Sequence, residues 1–134
     1  MSKIVIFENE YASVWCYPQE KIIHHQMHKY TPSENIKEFL MAGAHAMKQH
    51  KATKWLSDDR NHRVVRADDM TGVNEEWEAT VQAAGWQTWA IVQPEHIVAK
   101  MRFDKLVERY EAKGVTVEFF TDPDDAMAWL KNQS

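Results

Sequence analysis

Three times in its second half the chain repeats one succession: a short apolar run, a polar connection, then apolar residues at helical spacing. The runs are TKWLS, TWAIV and VTVEFF. The segments that follow are EEWEATVQAAG, the stretch from Pro94 to Gly114, and DPDDAMAWLK. Consecutive strand–helix units predict parallel strands, because only a long crossover returns a strand in the same direction, and such crossovers are right-handed. Ligands of open α/β sheets bind where loops diverge at the carboxyl ends of such strands. The fold therefore fixes where a site would lie, beyond Leu56, where TKWLSDDRN runs into Asp58, Asp59 and Arg60.

The first third reads differently. KIVIF is short and apolar; YASVWCY and KIIHHQMHK alternate and are joined by Pro18, Gln19 and Glu20. Ala12, Val14 and Cys16 lie on one side of the first alternating segment, and Tyr11, Ser13, Trp15 and Tyr17 on the other. This predicts an antiparallel hairpin. TPSE, residues 31 to 34, has the pattern of a capping box, with Thr31 as N-cap and Pro32 opening a helix through Ile36, Leu40, Gly43 and Met47. Asn74 is expected to cap the next helix and Gly85 to end it. Asp122, ahead of Pro123, caps the last, with Ala126 and Leu130 facing in. The apolar pattern between Pro94 and Gly114 shifts phase near Asp104, which predicts a kink or break.

The order βββαβαβαβα predicts a single α/β domain over 1–134: a mixed five- or six-stranded sheet, an N-terminal antiparallel hairpin followed by three parallel βα units, packed with four helices. If the helices crowd onto one face, Trp15, Tyr17, His24 and His28 of the hairpin point away from them and form an exposed interface, suited to a protein partner or a homodimer.

Length and composition agree with one soluble domain: 134 residues, 44% hydrophobic and 27% charged. A net charge of -4 argues against a nucleic-acid backbone as partner. Cys16 is the lone cysteine, which excludes an internal disulfide and suits a reducing cytoplasm. Glu8 and Glu10 close behind the first apolar residues do not suit a signal peptide, and no run approaches the ~20 residues of a membrane span.

With these elements placed, the chain resembles the SpoIIAA-like (STAS/SEC14-type) family, in particular a single-domain bacterial branch of it. YASVWCYPQEKIIHH, TKWLSDDRN, EEWEATVQAAGWQTWAIVQPE and VEFFTDPDDAMAWL carry the resemblance over nearly the whole chain. The resemblance implies a regulator that binds a partner kinase and is switched by phosphorylation of a serine in a turn opening a helix. Thr71, in Asp69-Met70-Thr71-Gly72-Val73, takes that place here, although some fourteen residues separate it from Leu56. A phosphate there would sit at a helix N-terminus. The SEC14 side of the family implies apolar ligands.

Several residues invite chemistry. Asp58 and Asp59 suit a magnesium ion or acid–base work, but neighbours on an extended chain point opposite ways, which favours local pairing with Arg60 or Arg63. His24 and His28 share a strand face about 13 Å apart, too far for one zinc ion. They read as surface or interface histidines, able to tune an interface near pH 6.5. Of the 6 tryptophans, Trp55, Trp77, Trp86, Trp89 and Trp129 cluster around the middle strands. They read mainly as packing, with a pocket between the 57 to 73 loop and Trp77 as the favoured small-molecule site. Cys16 faces the core, Ser57 lacks a nucleophile elbow, and no phosphate-binding or dinucleotide motif is present. No cofactor is expected. The leading expectation is a non-enzymatic binding module acting through the 57 to 73 loop, with Asp58, Asp59, Arg60 and Trp77, or through the hairpin face. The second is a carrier or sensor of a small apolar ligand beside Trp77. The weakest is an enzyme using the aspartates.

Overall fold

A computed structural model describes residues 2–62, 75–100 and 104–133. Strands β1 (Ile4–Glu8), β2 (Ala12–Tyr17), β3 (Ile22–Met27), β4 (Lys54–Asp58), β5 (Thr88–Val92) and β6 (Thr116–Phe120) form one sheet in chain order. β1, β2 and β3 pair antiparallel; β3 to β6 pair parallel. The helices described are α1 (Ser33–His50), α2 (Glu75–Ala83), α3 (Glu95–Lys100), α4 (Asp104–Glu111) and α5 (Pro123–Lys131). The expected hairpin and three parallel units are present. Five helices replace the expected four, because the stretch from Pro94 to Gly114 holds both α3 and α4, on either side of the phase shift. No described helix is long and apolar enough to cross a membrane.

Parallel strands in sequential order, joined by crossovers of one hand, place their connecting helices on a common face. There Phe39, Ala44 and Met47 of α1, Trp77 and Val81 of α2, and Tyr110 of α4 pack on Val14, Ile23, Trp55, Trp89 and Val117. α5 covers the opposite face, burying Ala126 and Leu130 against Tyr17, Ile22, Leu56, Ala90 and Val92. β4 and β5, between the two layers, are buried at every position. That is why TWAIV reads as a continuous apolar run.

The second layer corrects the expectation for the hairpin. Trp15, Tyr17 and His24 do lie on the face away from α1, but that face is not bare. Tyr17 is 7% exposed within the α5 cluster. Trp15 and His24 are half-buried, and of the four only His28 is exposed. A wide sheet of apolar strands has two faces to remove from water, and α5 covers the second over β4, β5 and β6.

Helix ends follow local chemistry in two of three cases. Asp122 accepts from the backbone N–H of Asp124 at 2.8 Å, with Pro123 in the first turn. Asp122→Ala should lower stability by about 1 kcal/mol in chemical denaturation. Gly85 ends α2 at φ 94, where Trp86 N–H reaches the Val81 carbonyl. The capping box of α1 does not form. Thr31 is buried and its hydroxyl donates to the Lys29 carbonyl, so Pro32 becomes the N-cap without a side-chain cap. Asn74 lies outside the described residues.

Gly43 shows why packing overrides helix propensity. A Cβ built there would lie 2.4 Å from Cη2 of Trp55. Gly→Ala inside a helix ordinarily stabilises by about 1 kcal/mol. Here Gly43→Ala should instead destabilise by about 1–3 kcal/mol, since the fully buried Trp55 ring has to move. Thermal or urea unfolding reads the sign directly.

Candidate recognition site at the strand ends

Asp58 closes β4, and the alternation of an extended chain sends Asp58 and Asp59 to opposite sides of the sheet. Asp58 turns to the α5 side and is 2% exposed. Its two oxygens accept from Arg60 Nε and Nη2, each at 2.8 Å. These bonds raise the Arg60 guanidinium above its already high pKa, with further help from the charges of Asp58, Asp122 and Asp124. Arg60 is thereby held at the end of β4, in the electrostatic field of Asp122 and Asp124 at the start of α5. The local pairing expected for one aspartate is the pair Asp58–Arg60; Arg63 lies outside the described residues.

Asp59 turns to the α1 side. Its Oδ1 lies 2.7 Å from Nε2 of His25, a residue 3% exposed. The other ring nitrogen, Nδ1, accepts from the indole N–H of Trp55 at 2.9 Å. Phe39 packs on the imidazole, ring centroids 4.8 Å apart. Facing away from each other, Asp58 and Asp59 do not form a common cation site. Among the described residues no group of three His, Cys, Asp or Glu is placed to hold a metal.

A second indole repeats the pattern one strand along. Trp89 N–H donates to Ser57 Oγ at 2.9 Å. Strand register explains both bonds: Ile23, Trp55, Trp89 and Val117 form one row across β3 to β6, and His25, Ser57, Ile91 and Phe119 the next row towards the strand ends. Each tryptophan reaches the polar residue on the neighbouring strand in the row ahead. Sequence reasoning missed His25 and Ser57 as partners. The signal was available only once the register placed His25 beside Ser57, two residues ahead of Trp55.

Trp77 of α2 is buried, its ring 5.3 Å from Trp55, 5.2 Å from Trp86 and 6.1 Å from Trp89. Its indole nitrogen is buried without a hydrogen-bond partner among the described residues. The expected pocket beside it involves residues 63–73, and it falls, with Thr71, outside the described residues.

The hairpin histidines divide. His28 is exposed and its Nε2 lies 2.8 Å from Ser13 Oγ. His24 lies between Trp15 and Tyr17, and burial is the principal cause that lowers its pKa from 6.5 to about 4. It does not titrate near pH 6.5 as a surface histidine would. Cys16 is fully buried, and burial pushes its thiol up to about 11, away from thiolate chemistry at neutral pH.

What the strand ends expose is Tyr30, 60% exposed and stacked on His62 at 5.4 Å with 5° between ring planes. Thr31 N–H donates to Nδ1 of His62, and His62 N–H to the Asp59 carbonyl. The β3–α1 and β4–α2 connections are thereby joined. No protein-family model, curated protein or solved structure matches the chain.

Proposed function

We propose that the chain is a SpoIIAA-like binding module of the cytoplasm, without catalysis of its own, that recognises a protein partner through its strand ends. Tyr30, His62 and Arg60 form the contact surface, and a second copy of the chain is one partner it would suit. One observation carries the reading. Among the described residues the strand-end carboxylates are engaged internally, Asp58 with Arg60 and Asp59 with His25, and Tyr30 is the most exposed of the large hydrophobics. An exposed aromatic and a partly exposed arginine at one end of the sheet have the composition of an interface, not of a reaction centre. Thr71, on the same connection, is the position at which phosphorylation would regulate the contact.

Photo-cross-linking in the native host tests this. A benzophenone amino acid at position 30 should give a discrete adduct that the same group at position 111, on α4, does not give. Equal patterns from both positions, or none from position 30, would count against it.

The indole N–H of Trp77, without a partner among the described residues, supports a second reading, a small apolar ligand with one hydrogen-bond acceptor. Native mass spectrometry of protein taken directly from cells should then show an added mass that Trp77→Phe weakens. A bare polypeptide mass would remove this reading.

A further inference from the structure

Tryptophan can only donate through its indole nitrogen, and an ionised carboxylate can only accept. His25 stands between one of each, with Trp55 at Nδ1 and Asp59 at Nε2. The indole N–H requires a lone pair on Nδ1, which confines the ring proton to Nε2. That tautomer is the one that donates to Asp59. Asp59 favours the same tautomer, so without the indole one of two restraints on the ring proton is lost and the proton is held on Nε2 less strictly.

The geometry points to a tautomer latch, in which Trp55 sets the ring proton of His25 and His25 in turn holds the root of the β4–α2 connection through Asp59. Further bonds continue from Asp59. Its N–H donates to the Val92 carbonyl at 3.0 Å, and its carbonyl accepts from His62 N–H at 3.1 Å. His62 carries the Tyr30 stack and takes the Thr31 N–H. On the core side, Trp55 packs on Trp77 of α2 and lies against Gly43 of α1. One chain of contacts thus links the packing of two helices to the placement of the exposed aromatic. Trp55 and His25 are positioning residues, since both are buried.

The neighbouring pair supplies a built-in control. Trp89 donates to Ser57, whose hydroxyl rotates to suit its surroundings and has no tautomer to fix. Trp89→Phe removes an equivalent indole bond without touching the latch.

Proton–nitrogen correlation spectra of the histidine rings test the inference on the free protein. The native His25 should carry its proton on Nε2 alone. In Trp55→Phe a share of the Nδ1 tautomer should appear, and amide exchange of Asp59 and His62 should accelerate roughly tenfold or more relative to Ala90 in β5. Trp89→Phe should show neither change. A native His25 protonated at Nδ1 would overturn the latch. So would a Trp55→Phe protein whose Asp59 and His62 amides change no more than Ala90. If Trp55→Phe does not fold, the native spectrum decides alone. Only the use of the latch in recognition rests on the partner reading. An intact latch with a silent cross-linker at position 30 would remove the partner and leave the latch standing.

Discussion

Replacing His25 by alanine is expected to destabilise the protein by about 3–5 kcal/mol, a large share of the total for a domain of this size. Three losses combine. The imidazole leaves a gap between Phe39 and Trp55. The indole N–H of Trp55 loses its acceptor deep in the core, and Asp59 loses its donor at 16% side-chain exposure. A buried polar group left unpaired costs about 1–3 kcal/mol. Urea unfolding followed by tryptophan fluorescence measures the sum. His28→Ala, on the same segment but exposed, should change stability by less than about 1 kcal/mol. Similar effects for the two would mean that His25 is an ordinary half-exposed histidine.

His24 should make stability fall with acid. Its folded pKa is about 4 against 6.5, principally because burial disfavours the charged ring. Above about pH 6.5 the ring is neutral in both folded and unfolded chains, and its contribution is fully present. As pH drops, the unfolded chain takes up a proton that the folded protein refuses until about pH 4, and stability is lost throughout that window. The total is on the order of 3 kcal/mol. Denaturation at about pH 7 and about pH 4 should give a steeper loss for the native protein than for His24→Gln, by roughly that amount. Parallel pH profiles would show that the ring is freely protonated in the folded state. The same result bears on the hairpin face. A histidine that resists protonation is sheltered by Trp15 and Tyr17 and cannot serve as the exposed interface histidine that the alternating pattern suggested.

What was legible in the sequence was the part governed by periodicity and chain direction. TKWLS, TWAIV and VTVEFF had to be parallel strands, and Asp58 had to leave the sheet at their carboxyl ends. The pairing of Asp58 with Arg60 was legible as well, because it is local. The role of His25 was not. Its partners are 30 and 34 residues away in the chain, and only the strand register brings them together. The burial of Tyr17 was missed for a similar reason. Alternation tells which residues share a face of a strand, but not whether a helix more than a hundred residues later lies on that face. Thr31 failed as a cap because a tertiary demand, its burial beside Lys29 and His62, outweighed a local preference worth about 1 kcal/mol.

The claim on which the candidate site rests is that β3 holds the exit of β4 through one side-chain contact, and a double-mutant cycle measures that contact alone. His25→Ala, Asp59→Ala and the double variant should give a coupling energy of about 1.5 kcal/mol or more, because each single change already removes the bond. Additivity within about 0.5 kcal/mol would mean that His25 and Asp59 do not interact in solution, and the anchored strand-end surface would fall with them.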